Sequence, residues 1–359
     1  MNDKPNAYTL VEVLVVIAII GILLSLTLTA LGPAKDRSRR LQCANNQRQL
    51  AHGLLLHESA KGHFPGFVQK YGDFAGGSDP TDPTNFGGAV PAHEKVAGFG
   101  VAVLPFLDRQ PLYEIWTDDR YPIISDSPEA TTGPDAGTNF SPLAASGIAT
   151  FQCPSDVTSS RWSANSYVTN NGMAHPINTA LVTFLATQSK NNGIFNAKFT
   201  TGASGPNVSL SDITDGLSST ALLSENVQAL PWFRPGFLNG GDMSSIAYGN
   251  ALTNARYTAG MVWHPEDDEL GVPVAPDHKI NGPNRRSLTS ERMTAGNARD
   301  LARPSSLHIG GVNVAYADGA VGFVSDTIDY RVYQAILTPR GRASDVPHPG
   351  FILTDELSD

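Results

Sequence analysis

Cysteine is nearly absent: Cys43 and Cys153 are the only two in 359 residues. They form no CxxC pair, and no cysteine–histidine group has zinc-finger spacing, which excludes a thiol redox motif and a structural zinc finger. Two thiols so far apart fit one disulfide in an oxidising compartment or two buried free thiols. Charge is sparse as well. Asp, Glu, Lys and Arg make up 16% of the chain and the net charge is −9, which argues against a nucleic-acid partner. The C-terminal part holds no basic patch interleaved with aromatics. The chain also lacks a nucleophile elbow (GxSxG), a phosphate loop and an HExxH pair. It therefore reads as a non-enzyme with no cofactor and no metal centre.

Glycine (34) and proline (25) are plentiful, favouring turns and long loops over a helix bundle. The length allows one large or two modest globular domains. One apolar run stands out. From Leu10 to Leu31 the only ionisable side chain is Glu12. At ~1.5 Å per residue this run makes a helix of roughly 33 Å, enough to cross a bilayer core of ~30 Å. A carboxylate just inside such a run is costly, at about 3 kcal/mol near mid-bilayer and less toward the interface. Snorkelling to the headgroups is one explanation of Glu12; a buried partner is the other.

A secretory signal places its small-residue cleavage site after a 7–15-residue apolar stretch. Here the small residue, Ala7, precedes the run. Ala7-Tyr8-Thr9-Leu10-Val11-Glu12, followed by Val13 to Leu23, resembles the class III signal of type IV prepilins and pseudopilins. That family usually has Gly and Phe where this chain has Ala7 and Tyr8. The resemblance implies cutting between Ala7 and Tyr8 by prepilin peptidase, N-methylation of Tyr8, and pairing of Glu12 with the free amino terminus of a neighbouring subunit. It also places the head outside the inner membrane. The positive-inside rule points the other way, because Lys35, Arg37, Arg39 and Arg40 follow the run and only Lys4 precedes it.

Beyond the run, Leu41, Ala44, Ala51, Leu54 and Leu55 recur at helical spacing, with a kink expected at Pro33 and a stop at Gly62 before Pro65. His52 and His57 lie five apart, off any shared face, so a metal site there is not expected. In the head, Asn171-Gly172 reads as a turn, and residues 66–97 and 118–147 read as loops. Ala221–Glu225 reads as a strand. The acidic cluster Glu266-Asp267-Asp268-Glu269, flanked by His264, Asp277 and His278, reads as a solvated loop, with calcium as the alternative. Val312, Val314 and Tyr316, then Asp318-Gly319, then Val321 and Phe323, read as a β-hairpin on a two-residue turn. A helix over 326–337 follows, with Ile328, Val332, Ala335 and Ile336 on one face.

His308, nine residues, and Asp318-Gly319 match the H-x9-DG motif that accompanies prepilin-type signals in a large bacterial family of unknown function. Cys43-Ala44-Asn45-Asn46, Phe151-Gln152-Cys153-Pro154-Ser155-Asp156 and Ile213–Thr220 are similar to that family too. A histidine near a carboxylate invites an acid–base reading. A turn explains Asp318 and Gly319, so His308, Asp318 and Gly319 are expected to be structural, with the His308 ring bonding backbone near the hairpin.

The expected fold is α+β. Residues 1–7 are a leader, 8–61 a transmembrane and stalk helix, and 62–359 a loop-rich antiparallel head. The expected function is a pilin-like or pseudopilin-like structural protein, anchored in the inner membrane and a candidate subunit of a type II secretion or type IV pilus-type fibre. Its partners are prepilin peptidase, the lipid bilayer and like subunits or other pilins. The alternative is a tethered envelope protein that never polymerises and whose head binds a ligand or polysaccharide.

Overall fold

The computed structural model describes residues 9–127, 139–156, 164–175, 184–185, 187–200, 203–238, 240–243, 253–284 and 288–351. Helix α1 (Leu10–Lys61) runs 52 residues without a break at Pro33. Its ends obey local rules. Thr9 is the N-cap of a capping box: the Glu12 amide donates to Thr9 Oγ1 at 3.3 Å, and the Thr9 amide donates to Glu12 Oε2 at 2.8 Å. Gly62, at φ 75°, ends the helix in the left-handed region and donates its amide to the Glu58 carbonyl.

The two halves of α1 differ. Leu10 to Leu24 are exposed on every side. Among the described residues no helix is long and apolar enough to cross a membrane; the side chains of residues 26–31, within the apolar run, lie outside those described. The outer half buries Cys43, Gln47, Leu50, Ala51, Leu54 and His57. This face is rotated from the expected one, since Leu41 is 62% exposed. The cause is polar. Gln47 sits on the buried face because its Nε2 donates to the Leu223 and Asn313 carbonyls, and Tyr167 donates its hydroxyl to the Cys43 carbonyl.

Among the described residues, nine strands form two sheets. The smaller has the order β2-β1-β4-β5, with β1 (Val68–Phe74) and β2 (His93–Gly98) antiparallel, β4 (Lys198–Thr200) and β5 (Ala203–Ser204). Part of the stretch expected as loop is thus a strand pair. Its polar letters hide the pattern: Lys95 is buried because its Nζ donates to the Ile115 and Asp118 carbonyls, with burial pushing its pKa down to about 8. The larger sheet has the order β7-β3-β6-β8-β9, with β3 (Tyr167–Met173), β6 (Ala221–Glu225), β7 (Gly260–Trp263), β8 (Gly311–Tyr316) and β9 (Val321–Ser325). It is mixed where an antiparallel head was expected, because β3 pairs in parallel with β7. The expected Asn171-Gly172 turn lies inside β3. Gly172, at φ 80°, is needed there because a Cβ would meet the Asn192 carbonyl oxygen at 2.9 Å.

Helices α2 (Phe99–Val103) and α3 (Gln110–Thr117) close the smaller sheet, and buried Trp116, Phe151, Trp232 and Phe233 fill the space beside them. Helix α4 (Tyr330–Leu337), capped by Asp329, covers the larger sheet through Val332, Tyr333 and Ile336. Ala335 and Ile328, expected on that face, are only partly buried.

Cys43 on α1 is bonded to Cys153 in the head, across 110 residues of sequence. Closing a loop of this size removes about 4–5 kcal/mol of unfolded-state entropy in the chain-entropy account. The double change Cys43→Ser with Cys153→Ser is expected to lower the melting temperature of the full chain in detergent by roughly 5–8 °C. An unchanged melting curve under non-reducing conditions would refute that ledger.

Candidate functional site

Strand β8 lies along the outer half of α1, and the H-x9-DG segment marks both its ends. At one end, His308 is 5% exposed and Glu225, at the end of β6, is 1% exposed. His308 Nε2 is 3.1 Å from Glu225 Oε1 and 3.5 Å from Cys153 Sγ, so the pair sits beneath the stalk and against the disulfide. Glu225 is satisfied twice more: Asn313 donates its amide to Oε2 at 2.8 Å and its side-chain Nδ2 to Oε1 at 3.0 Å. Through Nε2 the His308 ring thus meets a carboxylate, a partner not expected from the sequence. Its own amide donates to Ser306 Oγ. Above the pair, the Arg40 guanidinium lies 3.5 Å over the Phe323 ring, and burial lowers its pKa, with the Glu225 charge opposing that shift.

At the other end, Tyr316 accepts from the Gly319 amide at 2.9 Å and donates its own amide to Ala320 at 2.9 Å. Gly319 has φ 86°, whereas Asp318 is not among the positive-φ residues. The turn is thus a three-residue loop with a left-handed glycine, not the expected two-residue turn. Asp318 Oδ1 accepts from the Ala320 amide. A Cβ on Gly319 would lie 3.3 Å from Leu55 Cδ1 and 3.4 Å from His52 Cε1, so the tip rests on α1. His308 and Asp318 are separated by β8, on the order of 20 Å at ~3.3 Å per residue, and form no acid–base pair. The sequence missed Glu225. Its signal was the β6 alternation, which puts Ala221, Leu223 and Glu225 on one face, with Leu223 opposite Ala315.

The remaining candidates separate. Glu12 lies at the start of α1 with Oε2 accepting from Thr9 Oγ1 at 2.8 Å as well as from the Thr9 amide. Ala7 and Tyr8 lie outside the described residues. His52 is exposed, while His57 is buried against the His63 carbonyl and burial pushes its pKa to about 4. The acidic loop is solvated at Asp268 and Glu269, as expected, but not throughout. Asp267 is buried, and its Oδ1 accepts from the Glu269 and Leu270 amides; Glu266 Oε2 accepts from the Ala275 amide. The carboxylates hold the loop's own backbone.

Among the described residues, two clusters bring together side chains of metal-ligating type: Cys43, Cys153, Glu225 and His308, and His264, Glu266 and His278. In the first, both sulfurs are consumed by the disulfide. In the second, the His264 and His278 rings stack at 3.3 Å and 5°, so their in-plane lone pairs run side by side instead of converging. Both His278 nitrogens already meet carboxylates, Glu266 at 2.8 Å and Asp300 at 3.2 Å. Burial, then the His278 charge, pushes the His264 pKa to about 2, keeping that ring neutral within the stack.

A capped stalk helix that begins apolar and ends pinned along a sheet strand, behind Ala-Tyr-Thr-Leu-Val-Glu, defines a prepilin-type protein. The Prokaryotic N-terminal methylation motif matches residues 3–28. The chain belongs to the family described as Protein of unknown function (DUF1559), which matches residues 33–331. No curated protein and no solved structure matches it.

Proposed function

We propose that the chain is a pilin-like structural subunit, cut by prepilin peptidase between Ala7 and Tyr8 and held in the inner membrane by residues 8–31, with its head on the outer side. One observation carries this reading. Helix α1 buries its outer half against the head and leaves Leu10 to Leu24 bare, so that half must be covered by something other than this head. Lipid covers it before assembly, and neighbouring α1 helices cover it afterwards. The capping box supports the same picture, since it starts the helix just after the expected cleavage point.

The buried His308–Glu225 pair ties the start of β8 to the end of β6 beneath the stalk, which supports a structural role for the H-x9-DG segment. Ser306, the nearest hydroxyl in its loop, donates to the Gly311 carbonyl. Mass spectrometry of the mature N-terminus tests the processing step. A chain beginning at N-methylated Tyr8 is expected; a chain retaining Met1 through Ala7 rules it out.

A further inference from the structure

We propose that the base of the head carries a binding site for an anionic phospholipid headgroup, formed between α1 and the loop at Ile309. A cleft of about 340 Å³ opens there. Its stalk wall holds Arg37, Arg39 and Arg40 with one carboxylate, Asp36; its head wall holds Ser155, His308 and Ile309. Three guanidiniums against one carboxylate leave the cleft cationic in a chain whose net charge is −9. Arg40 is already placed over Phe323, so Arg37 and Arg39 are the freer cations. Ile309 is 83% exposed beside them, on a tip shaped by Gly310 at φ 85°. Guanidiniums ringed with an exposed aliphatic side chain match a phosphate above acyl chains.

Depth supports the assignment, which rests on the membrane reading above. Arg37 follows Leu31 by six residues, or about 9 Å of helix. The headgroup layer adds roughly 5–7 Å beyond the hydrocarbon on each side. Side chains on α1 tilt toward its N-terminus, here toward the bilayer, so the guanidiniums reach down into that layer. Clustered basic residues at this level bind anionic lipid at roughly fivefold per charge. The basic stretch that opposes the positive-inside rule thereby has a role on the outer leaflet.

The test uses the full chain in nanodiscs of phosphatidylcholine, with or without phosphatidylglycerol. A fluorophore is attached through Ile309→Cys or, separately, Ile20→Cys, while Cys43 and Cys153 stay bonded to each other. With phosphatidylglycerol present, the position-309 probe is expected to be quenched by headgroup nitroxide lipid and shielded from iodide. Arg37→Ser with Arg39→Ser, which leaves Arg40 on Phe323, is expected to weaken this phosphatidylglycerol response about 25-fold. A position-309 probe equally open to iodide in both lipids, with the position-20 probe buried, overturns the headgroup site and leaves anchoring intact. Inorganic phosphate that shields the probe as well as phosphatidylglycerol does overturns the lipid assignment. A position-20 probe open to iodide overturns anchoring, and the site with it.

Discussion

Glu12→Ala is expected to abolish crosslinked oligomers of the mature chain while leaving the head's melting temperature unchanged. In the proposed assembly, cleavage creates an amine at Tyr8, and the Glu12 carboxylate of a neighbour is its partner in an apolar setting. Removing one member of a buried charged pair costs about 3–5 kcal/mol, on the order of a hundred- to several-thousandfold per contact. The structure adds a complication. Glu12 also caps its own helix, because its Oε2 accepts from both the amide and the hydroxyl of Thr9. Alanine removes both roles at once, and losing a cap alone costs about 1 kcal/mol. Glu12→Gln separates them, since glutamine serves in a capping box but carries no charge. The glutamine variant is expected to keep the helix start, as read by backbone amide exchange at residues 10–13, and still to fail in assembly. Oligomers that persist in both variants would end the subunit reading and leave the tethered, non-polymerising envelope protein.

The end of α1 was legible because local chemistry decides it. Gly62 with Pro65 spells the stop, and the start expected at Tyr8 falls two residues on, at Leu10, because Thr9 and Glu12 form a capping box not singled out in the sequence. The face of α1 was not, because Gln47 is buried through hydrogen bonds to residues about 180 and 270 positions away, which no helical period reveals. The β8–β9 hairpin was legible from its alternation, but its turn type was not, since Asp-Gly serves both two-residue and three-residue loops. Asn171-Gly172 carries the same turn lettering, yet it is a buried strand position set by the approach of Asn192 and Gly193. The two cysteines left bonded and free states equally open. Only the fold, bringing Cys43 on the stalk beside the loop before β3, decides it. His308 was found by its motif and its partner was not: the β6 alternation puts Glu225 on the face of Ala221 and Leu223, but only the fold shows that this face is buried beneath the stalk.

Glu225→Ala is expected to destabilise the head by about 3–5 kcal/mol, the largest loss from any single head substitution considered. Three donors converge on this carboxylate: His308 Nε2, the Asn313 amide and Asn313 Nδ2. Alanine takes the acceptor from all three of these buried donors, and each stranded buried group costs about 1–3 kcal/mol. The loss spreads to the stalk, because Asn313 also accepts from Gln47 on α1 through its carbonyl. Glu225→Gln keeps the volume and one acceptor oxygen, but its amide nitrogen must face a donor, so an intermediate loss is expected. His308→Ala empties the same pocket from the other side and leaves Glu225 with two of its three donors. It should therefore cost less than Glu225→Ala, and the double variant should cost less than the sum of the two. Thermal unfolding of the four chains in one detergent reads the ranking. A Glu225→Ala chain that melts with the parent, or a double variant whose losses simply add, would show that the pair does not hold the start of β8 to β6.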